Sequence, residues 1–123
     1  MVLFLAPWNC GGTMEKIFRH FYITGSMKET IEQLVEENGW TITSFTEKAL
    51  DLFLSGKKEI DLRFLVKKKT DPNYIKRNVR TQAWIRKDQF EELQKVAEQK
   101  GCNYVVVIFQ AYYDFCLLLL SSL

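Results

Sequence analysis

The side chains best suited to recognition sit in two short alternating stretches. His20, Tyr22 and Thr24 occupy every second position of one, and Arg80, Gln82, Trp84 and Arg86 every second position of the other. In an extended strand that spacing puts each set on a single face. The chemistry offered is a guanidinium fork, an amide that donates and accepts, an imidazole, a hydroxyl and two flat rings. This equipment binds rather than cleaves. The same alternation admits a one-residue slip, which would turn Tyr22 and Trp84 into core residues, and His20 is equally readable as an ordinary ribbon-edge histidine.

The usual catalytic kits are missing. There is one histidine, no H-x-x-x-H, no G-x-S-x-G and no glycine-rich phosphate loop, so neither an enzyme nor a cofactor is expected. Cys10, Cys102 and Cys116 have no C-x-x-C spacing, and with His20 they make no usual zinc site. They read as reduced core thiols, which implies a reducing, cytoplasmic compartment.

Charge supplies a second recognition element. The 123 residues carry a net charge of only +2, yet residues 57–87 hold eleven Lys or Arg against three acids, a surplus of eight that leaves a deficit of six elsewhere. Lys67, Lys68 and Lys69 are its densest point. Such polarisation is the footprint of a phosphate-binding face, or else of a solvated lysine-rich linker. An apolar fraction of 47% excludes a disordered chain, and the apolar runs read as too short to cross a bilayer, so a soluble protein without membrane contact is expected.

The elements that must position these residues emerge when the sequence is slid against itself by 62 residues. Ile23 then falls on Ile85, Ser26 on Asp88, Glu29 on Glu91, Ile31 on Leu93, Leu34 on Val96, Gly39 on Gly101, Ala49 on Ala111 and Phe53 on Phe115. Ser26-x-x-Glu29 and Asp88-x-x-Glu91 read as capping boxes opening helices of about three turns. Gly39 and Gly101 stop those helices, and Thr41 with Ser44, and Asn103, cap a second helix in each copy. Ahead of each box lies a β-forming stretch whose alternation turns Phe21, Ile23, Ala83 and Ile85 inward. The predicted organisation is a peripheral arm over residues 1–13, a strand–helix–helix repeat over 14–56, a basic linker over 57–78 and a second repeat over 79–123. The last helix ends in Phe115-Cys116-Leu117-Leu118-Leu119-Leu120, more apolar surface than a four-helix core needs.

The duplicated order of short strand, capped helix, glycine and second helix with a central alanine resembles the ribbon-helix-helix family of the Arc and MetJ repressors, over about two thirds of the chain. Residues 84–103 fit the pattern best, and the first copy departs from it at Gly25 and Lys28, where the second has Lys87 and Phe90. The resemblance implies an α+β, mostly α fold in which two strands pair as an antiparallel ribbon packed on four helices. One repeat cannot bury its apolar face alone, so the ribbon forms either within one chain, which is the expectation, or between two chains.

It further implies a sequence-specific regulator of transcription that reads double-stranded DNA. A β-ribbon fits the major groove, where Arg80 and Arg86 suit guanine, Gln82 suits adenine, His20 and Thr24 offer single hydrogen bonds, and Tyr22 and Trp84 offer ring faces. The second helices would meet phosphates through Thr41, Thr43, Ser44 and Asn103, roles compatible with plain capping. Tandem forms of the family occur in plasmid accessory proteins and regulators of archaeal viruses, which implies a viral or plasmid repressor in the host cytoplasm. Self-association through the apolar C-terminus is expected. The alternative is a protein-interaction module such as an antitoxin or relaxosome accessory protein.

Overall fold

The first strand, Lys16–Ile23 (β1), runs antiparallel to Val79–Arg86 (β2) of the same chain, with Ile17 opposite Ile85 and His20 opposite Gln82. These are the two strands of the sheet in a computed structural model that describes residues 15–121. The predicted arm over residues 1–13 and Cys10 lie outside the described residues. Between and after the strands come four helices: Gly25–Asn38 (α1), Ile42–Ser55 (α2), Lys87–Lys100 (α3) and Tyr104–Ser121 (α4). The fold is α+β and mostly helical, its order strand, helix, helix occurring twice, and the ribbon pairs within the chain.

The alternation in the strands decides which way the ribbon faces. Phe21, Ile23, Ala83 and Ile85 are buried against the helices, as the pattern predicts, while Tyr22 remains 51% and Trp84 48% exposed. The helices supply the other side of the core. α2 and α4 pack together across Phe45, Tyr112 and Phe115, with the hydroxyls of Thr46 and Tyr112 hydrogen-bonded at 2.8 Å in the interior. α1 contributes Met27, Ile31 and Leu34, and α3 contributes Phe90, Leu93 and Val96.

Both glycine stops are built as predicted. Gly39 and Gly101 adopt φ of 68° and 67°, the left-handed region that costs glycine least, and their N–H groups return to the last turns of α1 and α3. The predicted capping boxes are not built. α1 starts earlier than the Ser26 box allows: Thr24 is its cap, its hydroxyl accepting from the Met27 N–H at 3.1 Å. α3 follows β2 without a break, Arg86 occupies its cap position with no side-chain cap bond, and Asp88 is already in its first turn. Both helices have 14 residues, about one turn more than predicted.

The basic linker is more than a tether. Asp61 caps a 3₁₀ turn over Leu62–Leu65, and Phe64 within it is buried, its ring edge-on to Phe109 at 4.8 Å and Tyr113 at 5.2 Å. The Asp61 N–H donates to Gln110 Oε1 on α4 at 2.7 Å, fastening the same turn. Arg63 binds the Asp61 carboxylate at 2.8 Å and holds its acid below the usual range.

α4 corrects one reading of composition. Its 18 residues are long and apolar enough, by length and composition alone, to cross a membrane, contrary to the expectation that the apolar runs are too short. Val107, Ile108, Phe109, Ala111 and Tyr112 are nevertheless interior to this fold, and Leu117, Leu118 and Leu120 are left exposed at the helix end. Cys116 is a buried free thiol, which burial pushes up to about 11, whereas Cys102 is only half-buried.

Candidate nucleic-acid interface

Beyond Lys16 opposite Arg86 at the ribbon's end, the outward face holds three directly opposed pairs: Phe18 with Trp84, His20 with Gln82, and Tyr22 with Arg80. Alternation puts all six on the side away from the helices. The Phe18 and Trp84 rings lie 4.9 Å apart, the edge of the Phe18 ring also meets His20 at 4.9 Å, and Arg80 Nη2 lies 2.9 Å from His20 Nδ1. The face is therefore graded: two rings at one end, an imidazole and an amide in the middle, and a phenol with a guanidinium at the other. Phe18 belongs to it by its odd–even spacing from His20 and Tyr22.

Two residues expected on this face do other work. Arg86 is only 18% exposed in its side chain and is held by Asp88 at 3.1 Å, Asp51 at 3.1 Å and Glu47 at 3.9 Å, the last two on α2. Burial works against its charge, but the three carboxylates outweigh that and raise its basicity, while Arg86 in turn holds the Asp88 acid low. Gln89 joins the same cluster by donating to Asp51 at 2.7 Å and to the Glu47 carbonyl at 3.2 Å. Arg86 thus fastens the end of the ribbon to α2 and is not a free reader. Thr24 is likewise spent as the cap of α1, past the end of β1.

The residues expected to anchor phosphates lie at the starts of the second helices. Thr41 caps α2, its hydroxyl accepting from the Ser44 N–H at 3.0 Å, and Asn103 precedes α4, its Oδ1 accepting from the Val105 N–H at 2.9 Å. Thr43 borders the same depression as Arg80, Gln82 and Trp84, so the start of α2 flanks the β2 side of the ribbon. On the other side, Tyr104 of α4 meets the Phe90 ring at 5.0 Å, and Arg19 of β1 lies over that ring at 4.9 Å. Lys67, Lys68 and Lys69 are exposed, and Lys67 is near enough to Cys102 for its charge to oppose the burial that raises that thiol.

Every group on the ribbon face and at the two helix starts donates, accepts or stacks. Among the described residues, no three potential metal ligands come together. Compared with known proteins, the chain matches no family model, no curated protein and no solved structure.

Proposed function

We propose that this chain is a sequence-specific regulator that reads double-stranded DNA through the major groove, as an intramolecular pair of ribbon-helix-helix repeats. The single observation carrying the reading is the two-stranded ribbon whose apolar face is buried and whose opposite face presents Arg80, Gln82, His20 and three aromatic rings. Arg80 pairs with guanine O6 and N7, Gln82 with adenine N6 and N7, and the rings meet thymine methyls and sugars. Thr41, Thr43, Ser44 and Asn103 hold phosphates at the helix starts, and Lys67 to Lys69 add attraction without reading bases.

One observation favours a second reading. Leu117, Leu118 and Leu120 are exposed together on α4, a surface suited to another protein or to a neighbouring copy, as in an antitoxin or relaxosome accessory protein.

A binding titration on selected and random duplexes across a salt series tests the main reading. The observed constant falls with a log–log slope of about −0.9 per phosphate neutralised, and the selected duplex keeps its advantage at every salt concentration. Equal affinity for both duplexes overturns sequence-specific reading.

A further inference from the structure

The two halves of the molecule differ in one place where the 62-residue correspondence would make them alike. Beside β1, the space between ribbon and helices is filled: Phe90 of α3 is buried there, with the Arg19 guanidinium 4.9 Å from its ring centre and Tyr104 edge-on at 5.0 Å. Beside β2, the equivalent positions carry Lys28, Thr81 and Ile42. Ala83 likewise stands where the other strand has Phe21. A flexible cation and three smaller side chains cannot fill what three rings and a guanidinium fill. What remains is part of an open cleft of about 590 Å³ that continues past Gln82, Trp84 and Phe18 onto the outward face of the ribbon.

The lining sorts by chemistry. Ile31, Ile42 and Ala83 give it an apolar wall, while Lys28, Arg80 and Glu32 stand around it and Thr43 and Thr81 supply hydroxyls. Lys28 Nζ reaches the Arg80 carbonyl at 3.5 Å, across from α1 to β2, so the ammonium is carried over the cleft rather than away from it. Two cations against one carboxylate leave a surplus of one positive charge. A volume of this size lies in the range of about 300 to 1,000 Å³ typical of small-ligand sites, which combine apolar walls with a few placed polar groups.

We infer that this cleft binds a small organic acid: one anionic group held by Lys28 and Arg80, and an apolar body laid against Ile31, Ile42 and Ala83. The charge surplus selects the single anion and the apolar wall selects the body, so neither inorganic phosphate nor an uncharged ring satisfies both. The proposal does not rest on DNA reading, although the cleft adjoins the reading face and Thr43, Arg80, Gln82 and Trp84 border both.

The test uses the intact, ¹⁵N-labelled chain without DNA, titrated with indole-3-acetate, with indole and with inorganic phosphate, and followed by amide chemical shifts. Indole-3-acetate at millimolar concentration gives saturable shifts centred on Lys28, Thr43 and Thr81, tighter than either indole or phosphate. Lys28→Phe installs the residue that the other half carries at this position, and it weakens binding by roughly tenfold or more. Lys28→Gln, which removes charge without filling space, abolishes the preference for the acid over indole and keeps the test open if the first variant folds poorly. Absence of saturable shifts at the cleft overturns the proposal, as do shifts centred on Leu117 to Leu120, equal binding of phosphate, or unchanged binding in both variants.

Discussion

Arg80 and Arg86 share a strand and a face by spacing, yet their surroundings give them opposite fates. Arg80 is exposed and touches His20, whereas Arg86 is enclosed by Asp88, Asp51 and Glu47. Replacing Arg86 by alanine strands three carboxylates around a part-buried space, and a loss of about 2 kcal/mol in unfolding free energy is expected from its charged hydrogen bonds. Replacing Arg80 and Gln82 together by alanine leaves stability within error and removes the guanine and adenine preferences that these two side chains supply. Denaturant melts and binding to selected duplexes separate the two cases, and an Arg80→Ala/Gln82→Ala variant that keeps the guanine and adenine preferences would refute the ribbon as reader. The network also sets a pH dependence. Asp88 is held below its ordinary value by Arg86, so its contribution is fully present above the unfolded carboxylate range near pH 4 and disappears as pH falls through its lower folded value. The stability gap between wild type and Arg86→Ala should therefore be constant at neutral pH and narrow below about pH 4. Alternation in the sequence was enough to assign Phe21, Ile23, Ala83 and Ile85 to the core. It could not show that Arg86 is claimed by acids on α2, because Asp51 is 35 positions away and only packing brings it there.

Among the elements, the helix stops were easier to read than the starts. A glycine past an amphipathic run has one dominant reason to be there, and Gly39 and Gly101 both adopt the left-handed conformation expected of it. A start offers several neighbouring hydroxyls, and at α1 the cap is Thr24 rather than Ser26 because the chain turns directly out of β1. Thr24→Ala should cost about 1 kcal/mol, and Ser26→Ala much less, in thermal or denaturant unfolding; the reverse order would restore the Ser26 box. The linker misled for a different reason. Its lysines dominate its composition, so the single Phe64 that fixes it to α4 was hidden among them. Phe64→Ala is expected to destabilise by about 3 kcal/mol. Neutralising Lys67, Lys68 and Lys69 should instead leave stability unchanged and weaken DNA affinity modestly and uniformly across sequences.

For the molecule as a whole, the ribbon register combined with the internal repeat makes a specific symmetry argument. His20 lies opposite Gln82 and is also its equivalent 62 residues away, so an approximate twofold axis passes through that central pair. The axis relates the Phe18/Trp84 pair to the Arg80/Tyr22 pair, so one end of the face has two rings and the other a ring and a guanidinium. A homodimeric ribbon would present identical ends and favour a palindrome; this one, on the proposed function, would offer the two halves of a DNA element different chemistry. Arg80 should demand guanine in one half, a bidentate contact worth about 1 to 3 kcal/mol of discrimination, while Phe18 and Trp84 favour thymine methyls in the other. Sites selected from a random duplex pool should therefore be non-palindromic, with any repetition arising from whole elements bound by neighbouring molecules. The same argument says how to restore symmetry. Arg80→Phe with Gln82→His turns the outward residues of β2 into the same sequence of types as Phe18, His20 and Tyr22, and selection on that variant should move toward a palindrome while losing the guanine requirement. A wild-type chain that already selects a short perfect palindrome, protected by one molecule, would show that the two strands read alike.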